Sequence, residues 1–240
     1  MSRHRPPLKE SLFLLNHVID WQQIFDLPEF AHVDVDLASA VLTEAAKFVT
    51  EVVEPINKIG DEQGSVLIDG QVQTADGFKD AYKHFAEGGW AGLDLPEQYG
   101  GQNLPLTVQL AFADMLNGAC LSFSMLPIML RAASCLLIEH GESELVGKIV
   151  PKLAAGEWGA SICITEPQAG SDVGRIRSVA HVQEDGGYRL SGNKIFISYG
   201  DHDLTSQIIH MVLARTSDAP SGTQGISLFV VPKLSFETGE

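Results

Sequence analysis

The sequence predicts an α+β fold in which an all-helical region precedes an antiparallel β-region, with the boundary near residue 155. Three observations carry that expectation. From Leu8 to about Ala155 apolar residues recur at helical spacing, as in Leu12, Leu15, Val18 and Ile19, or Val41, Ala45, Phe48, Val52 and Val53. After Gly156 the pattern becomes short runs of β-formers separated by turn residues. Strands do not alternate with helices, and no Gly-x-Gly-x-x-Gly follows a strand, which disfavours a parallel doubly wound sheet.

Taken in order, the chain opens on His4, Arg5, Pro6 and Pro7 without an uninterrupted apolar run or a small-residue cleavage site, so no secretory signal is expected. Helix ends are expected where Asp36 precedes Leu37, where Asp76 and Gly77 precede Phe78, and where Gly141 precedes the stretch from Glu142 to Leu153. The stretch Gly92 to Gly101 is too rich in Pro and Gly for a helix and is expected as a surface loop. Leu121 to Ile138 is apolar, but Pro127 and Arg131 near its middle fit a buried bundle helix better than a membrane span. Strands are expected at Ser161–Thr165, Val179–Gln183, Tyr188–Ser191, Lys194–Ser198, Ile208–Arg215 and Ile226–Val231. The turns Asp185-Gly186-Gly187 and Ser191-Gly192-Asn193 have hairpin chemistry.

With 240 residues, 45% of them apolar, the chain can bury a sizeable core. Its formal charge of −15 argues against nucleic acid as a partner, because phosphate binding needs clustered Lys and Arg. Cys120, Cys135 and Cys163 are widely spaced among apolar neighbours and read as small core residues, which fits a reducing cytoplasm. Asp201-His202-Asp203 could suggest a metal site, yet three adjacent residues cannot all face one ion on a regular element, and a solvated loop is expected. Ser171-Asp172 has no His placed to complete a nucleophilic triad.

Residues 162–172 are the most informative stretch. A strand carrying Thr165 just ahead of a turn built from Pro167, Gly170 and Ser171 can aim a hydroxyl and several backbone N–H groups at one edge of a planar, electron-accepting ring. The junction therefore reads as half of a flavin site. The alternative is an ordinary strand and tight turn with Glu166 solvated. In Lys194–Ser198, a strand would turn Phe196 and Ser198 to the same side, so that one ring and one hydroxyl face one ligand.

These segments carry a resemblance. A Thr-Glu-Pro-x-Ala-Gly-Ser-Asp run stands at Thr165–Asp172 and a Gly-x-Lys-x-aromatic-Ile-Thr/Ser run at Gly192–Ser198, preceded by Pro151–Trp158 and, in the helical part, by Leu95–Gly101. On these blocks the sequence resembles the acyl-CoA dehydrogenase family. Pro7-Leu8-Lys9 and Leu14-Leu15-Asn16 look like the longer branch that includes methylmercaptopropionyl-CoA dehydrogenases.

The resemblance implies an N-terminal extension over 1–35, a helical domain over 36–155, and an incomplete, β-barrel-like middle domain over 156–240, with a C-terminal helical bundle absent from these residues. It implies FAD as cofactor and oxidation of an acyl-CoA thioester to the trans-2-enoyl-CoA, by α-proton abstraction and β-hydride transfer to flavin N5. The base would be a glutamate of the missing bundle, so no catalytic residue is assigned here and the isolated chain is expected to be inactive. Cofactor-lining residues would be Ile162, Ile164, Thr165, Gly170, Ser171, Phe196, Ile197 and Ser198. Ile164 and Thr165 would supply donors to the pyrimidine edge, Phe196 would shield a ring face, and Ser198 would donate toward N5. Ser171 would approach the phosphates or the acyl-CoA substrate, and the floor of the acyl pocket would come from around Phe112 to Ser124. Electron-transfer flavoprotein or a similar acceptor, and further copies of the full-length chain, are the implied partners. A non-catalytic subunit completed by a partner chain, and an acyl-CoA oxidase, remain the alternatives.

Overall fold

Asp34 opens the first long helix, and a computed structural model, which describes His4 to Phe236, shows how. Its backbone is extended and its carboxylate accepts the Leu37 N–H at 2.7 Å, so α3 spans Val35–Phe48. The cap thus lies two residues ahead of Asp36, which sits instead in the first turn, where its charge favours the helix dipole. Two short helices come first: α1 (Leu8–Leu14) and α2 (Gln22–Phe25), which bury Leu15, Trp21 and Phe25.

Helix α3 buries Ala38, Leu42, Ala45 and Phe48 at helical spacing and continues through a wider π-turn, Val49–Val53, into α4 (Glu54–Gln63). Helix α5 (Phe78–Glu87) begins after Gly77, as Asp76-Gly77 suggests, and α6 (Leu106–Ala119), α7 (Leu121–His140) and α8 (Ser143–Ala154) complete the helical half. Between α4 and α5 lies a hairpin the helical periodicity did not reveal, β1 (Val66–Ile68) and β2 (Gln71–Gln73). Asp69 and Gly70 close it, both at positive φ, the pairing that a two-residue turn with inverted dihedrals requires.

The stretch from Gly92 to Gly101 is irregular as expected, and only its second half, with Glu97, Gln98 and Gly100 exposed, lies at the surface. Leu93 and Leu95 point into the core, and the loop folds back on itself through Gln102 N–H to Gly92 O and Leu104 N–H to Leu93 O, both 2.9 Å. Gly101 is required there, because a Cβ would stand 2.0 Å from the Leu95 carbonyl oxygen.

Helix α7 is long and apolar enough to cross a membrane by length and composition, the one such helix among the described residues. Its Phe123, Leu126, Leu130, Ala133 and Leu137 are buried, and α7 lies against α8 and the first strand of the main sheet.

That sheet contains β3 (Gly159–Cys163), β4 (Val179–Val182), β5 (Tyr188–Ser191), β6 (Ile208–Thr216) and β7 (Ser227–Pro232). It is mixed rather than antiparallel, and it does not close into a barrel. β3 and then β4 run parallel to β6 in succession, β7 runs antiparallel along Ile209–Ala214, and β5 pairs with β4 alone, so the outer strands never meet. The Asp185-Gly186-Gly187 hairpin forms as expected, with Gly186 at φ +84°. The expected strand at Lys194–Ser198 does not form. Gly192 at φ +157°, Phe196 at +58° and Tyr199 at +52° break the extended run, and residues 192–207 cross between β5 and β6 as a long loop. One hydrophobic core runs through both halves, with Ala160, Ile209 and Met211 of the sheet joined to the helical aromatics.

Candidate functional site

β3 carries Ala160 and Ser161 into the core and stops at Cys163, leaving Ile162, Ile164 and Thr165 half-buried at its end. The chain then folds into a tight turn in which Glu166 and Ala169 exchange two backbone hydrogen bonds of 3.0 Å. Gly170 and Ser171 stand on the exposed side of that turn, and space is open around Gly170. Glu166 is not solvated. It is 3% exposed and accepts from the Arg177 and Ser178 N–H groups, the Ser178 hydroxyl, the Gln168 amide and the Lys194 ammonium at 2.6–3.0 Å. Burial by itself would raise its pKa, but Lys194, the Ser178 hydroxyl and the two backbone donors outweigh it and hold the carboxyl at about 2.

Lys194 donates to Ile164 O at 3.1 Å as well as to Glu166 Oε1 at 2.8 Å. The Ile195 N–H donates to Thr165 O at 2.9 Å. Two segments 30 positions apart are thereby laced together, with Thr165 on one side of the lacing and Phe196, Ile197 and Ser198 on the other. Beyond it Phe196 is 89% exposed, and neither the Thr165 nor the Ser198 hydroxyl has a hydrogen-bond partner among the described residues. Phe196 and Ser198 belong to a loop, so strand alternation does not set the sides they face.

Ile197 and Ser198 also line a cavity of about 440 Å³, together with Thr74, Phe78, Ser122 and Met125 of the helical half. Ile162, Ile164, Thr165, Gly170, Ser171 and Phe196 do not line it, so the candidate residues are not gathered into one enclosed pocket. A second, apolar cavity of about 220 Å³ lies between α6 and α7, where Phe112 and Leu116 meet Trp90, Pro127, Ile128 and Arg131. Of the expected acyl-pocket stretch, Phe123 and Ser124 turn instead into the core.

The Asp201-His202-Asp203 run divides three ways. Asp201 pairs with Lys233, Asp203 with Lys79 and Thr74, and His202 is buried. No group of metal-ligating side chains is found among the described residues, and the run is not a solvated loop either.

An unpaired hydroxyl on each segment, an exposed aromatic ring on the second and an open Gly-Ser turn are groups of the kind that suit the rim and face of a flavin. Glu166 and Lys194, which hold the two segments together, escaped the motif reading as functional partners. Their signal was the charge complement between the first run's Glu and the second run's Lys.

Comparison with known proteins follows the same division of the chain. Residues 36–157 match the model of the acyl-CoA dehydrogenase N-terminal domain, and residues 161–238 that of the acyl-CoA dehydrogenase middle domain. The chain belongs to the acyl-CoA dehydrogenase family. The 3-methylmercaptopropionyl-CoA dehydrogenase of Ruegeria pomeroyi is 40% identical over 231 residues, which are 96% of this chain and 39% of that protein. Among solved structures, butyryl-CoA dehydrogenase from Megasphaera elsdenii superposes with a TM-score of 0.68 at 20% identity, covering 82% of this chain and 49% of that one. PigA, solved as an FAD complex, superposes with a TM-score of 0.65 at 26% identity, covering 82% and 48%. The family chain thus spans about two fifths of the length of this curated relative and about half of these structures.

Proposed function

We propose that residues 1–240 form the flavin-facing part of an FAD-dependent acyl-CoA dehydrogenase that converts an acyl-CoA thioester to the trans-2-enoyl-CoA. The observation that supports this reading is the backbone bond from Ile195 to Thr165, which joins the two segments that carry an unpaired hydroxyl each and one exposed ring. FAD, when bound, supplies the hydride acceptor.

Each residue has a part in holding that cofactor. Thr165 and the backbone around Ile164 offer donors where negative charge gathers, and fixed donors there favour the reduced ring without reorganisation. Phe196 covers an aromatic face and excludes water from it, while Ser198 donates to the ring's edge. Ser171, on a turn open enough for close backbone approach, serves phosphate oxygens of the cofactor or the acyl-CoA. Ile162 and Ile197 supply apolar lining. The carboxylate that removes the α-proton belongs, by the family's plan, to a helical domain outside the two matched here. An electron-transfer flavoprotein or similar acceptor would reoxidise the enzyme, which would work as a homo-oligomer. The buried free thiols of Cys120 and Cys163 favour a reducing, cytoplasmic setting.

Titrating the purified chain with FAD and following flavin fluorescence tests the reading. Saturable quenching is expected, with affinity about tenfold weaker after Thr165→Val and Ser198→Ala together, in line with two lost hydrogen bonds. Absence of saturable binding, or equal binding by the double variant, would count against it. Turnover is expected only from a polypeptide that also carries the bundle.

A further inference from the structure

The loop that carries Phe196 and Ser198 has little beneath it. Ile197, Ser198 and Tyr199 line the cavity of about 440 Å³, and of the three only Tyr199 packs against the core. Two of these residues, Phe196 and Tyr199, also hold left-handed backbone conformations that side-chain-bearing residues avoid. Such conformations persist only where the surroundings determine them. Apart from Tyr199, the loop therefore depends on how its ends are held.

One end is held within the β-half, by the Ile195–Thr165 and Lys194–Glu166 bonds. The other end is gripped by the helical half. Asp203 Oδ1 accepts from the Thr74 N–H at 3.1 Å and the Thr74 hydroxyl at 2.8 Å, and Asp203 Oδ2 stands 2.8 Å from Lys79 Nζ. Three donors from Thr74 and Lys79 converge on one carboxylate, Thr74 lying 129 positions away in sequence. A lighter tie runs from the Tyr199 hydroxyl to Ser122 O at 2.8 Å. Between these two ties sits His202, 4% exposed, its ring edge-on to Tyr199 at 5.5 Å and its Nδ1 accepting the Leu204 N–H. Burial lowers the His202 pKa to about 4, so it stays a neutral wedge at neutral pH.

We propose that Asp203 is a positioning residue for the flavin-facing loop: through Thr74 and Lys79 it anchors residues 196–199 to the helical half and so sets Phe196 and Ser198 against the cofactor. This inference rests on the flavin reading of the loop and adds to it a residue outside every matching motif. Lys79 is 64% exposed and its pair is open to solvent and salt, so Thr74, which gives two of the three donors, carries most of the grip.

Hydrogen exchange on the intact chain tests it, with wild type compared against Asp203→Ala, Asp203→Asn and Thr74→Val. In Asp203→Ala the amides of 196–200 are expected to exchange at least tenfold faster while those of β3 keep their rates, and FAD affinity falls five- to tenfold. Asp203→Asn retains an oxygen for the Thr74 N–H and should recover most of both losses. Should Asp203→Ala fail to fold, Thr74→Val, which removes one hydroxyl beside an exposed hairpin, carries the same comparison. Unchanged exchange at 196–200 in the folded variants, or equal acceleration in β3, would overturn the proposal. Failure of the wild type to bind FAD would refute the flavin reading, while the exchange comparison would still decide whether Asp203 fixes the loop.

Discussion

Glu166 and Lys194 are 3% and 12% exposed at the side chain, so their ion pair is one that protein rather than water must satisfy. Removing one partner leaves the other charge buried, and Glu166→Ala is expected to cost about 3–5 kcal/mol in a urea unfolding experiment at neutral pH. The same carboxyl gives the fold a pH dependence. Its folded pKa, about 2, lies below the ordinary 4.5, so its stabilisation is complete above 4.5 and is lost as pH falls from there toward 2. The loss at the acid end is roughly 3 kcal/mol by the usual conversion of a pKa difference. Unfolding curves at pH 6 and pH 3 should show about 2 kcal/mol of it in wild type and much less in Glu166→Gln. Arg131 and Asp94 make a second such pair, bonded at 2.6–3.0 Å, which ties α7 to the Leu93–Leu95 loop. Arg131→Met is expected to be more damaging than Arg131→Met with Asp94→Leu, because the double variant strands no charge; the two midpoints compared in one denaturant series would show the order.

Among the elements, the helices were readable because their periodicity is long and their punctuation explicit. Gly77 before Phe78 and the buried 3–4 spacing of α3 both follow directly from sequence. The cap of α3 was misplaced by two residues, since Asp34 and Asp36 are chemically equal and only the extended backbone at Asp34 chooses between them. Asp34→Ala should therefore lower stability by about 1 kcal/mol while Asp36→Ala does markedly less, a difference that thermal melts followed by circular dichroism would register. Lys194–Ser198 misled for a different reason. Lys-Ile-Phe-Ile-Ser alternates as a strand should, but Gly192 packs so closely on Ser178 that a Cβ would stand 2.1 Å from the Ser178 hydroxyl oxygen, and Lys194 is drawn to Glu166. Tertiary contacts override the local pattern there. The parallel pairing of β3 and β4 with β6 was equally hidden, because strand order depends on where the 192–207 crossing leads, and no turn signal announces that.

At the scale of the molecule, the fold brings the two motif-bearing segments together through one backbone bond and one buried ion pair. Sequence could not show that the second segment is a loop spanning a cavity and steadied from the helical half, since Thr74 and Asp203 lie in no shared motif. Both halves share a single core, so the two segments that carry Thr165, Phe196 and Ser198 are placed by the molecule as a whole. Hydrogen exchange of the wild-type chain with and without FAD examines that edge most directly. If the two segments form one flavin-facing rim, FAD will slow exchange at Ile164–Thr165 and at Phe196–Ser198 together, with little change in the β1–β2 hairpin. Protection of one segment without the other, or of neither at saturating FAD, would contradict it.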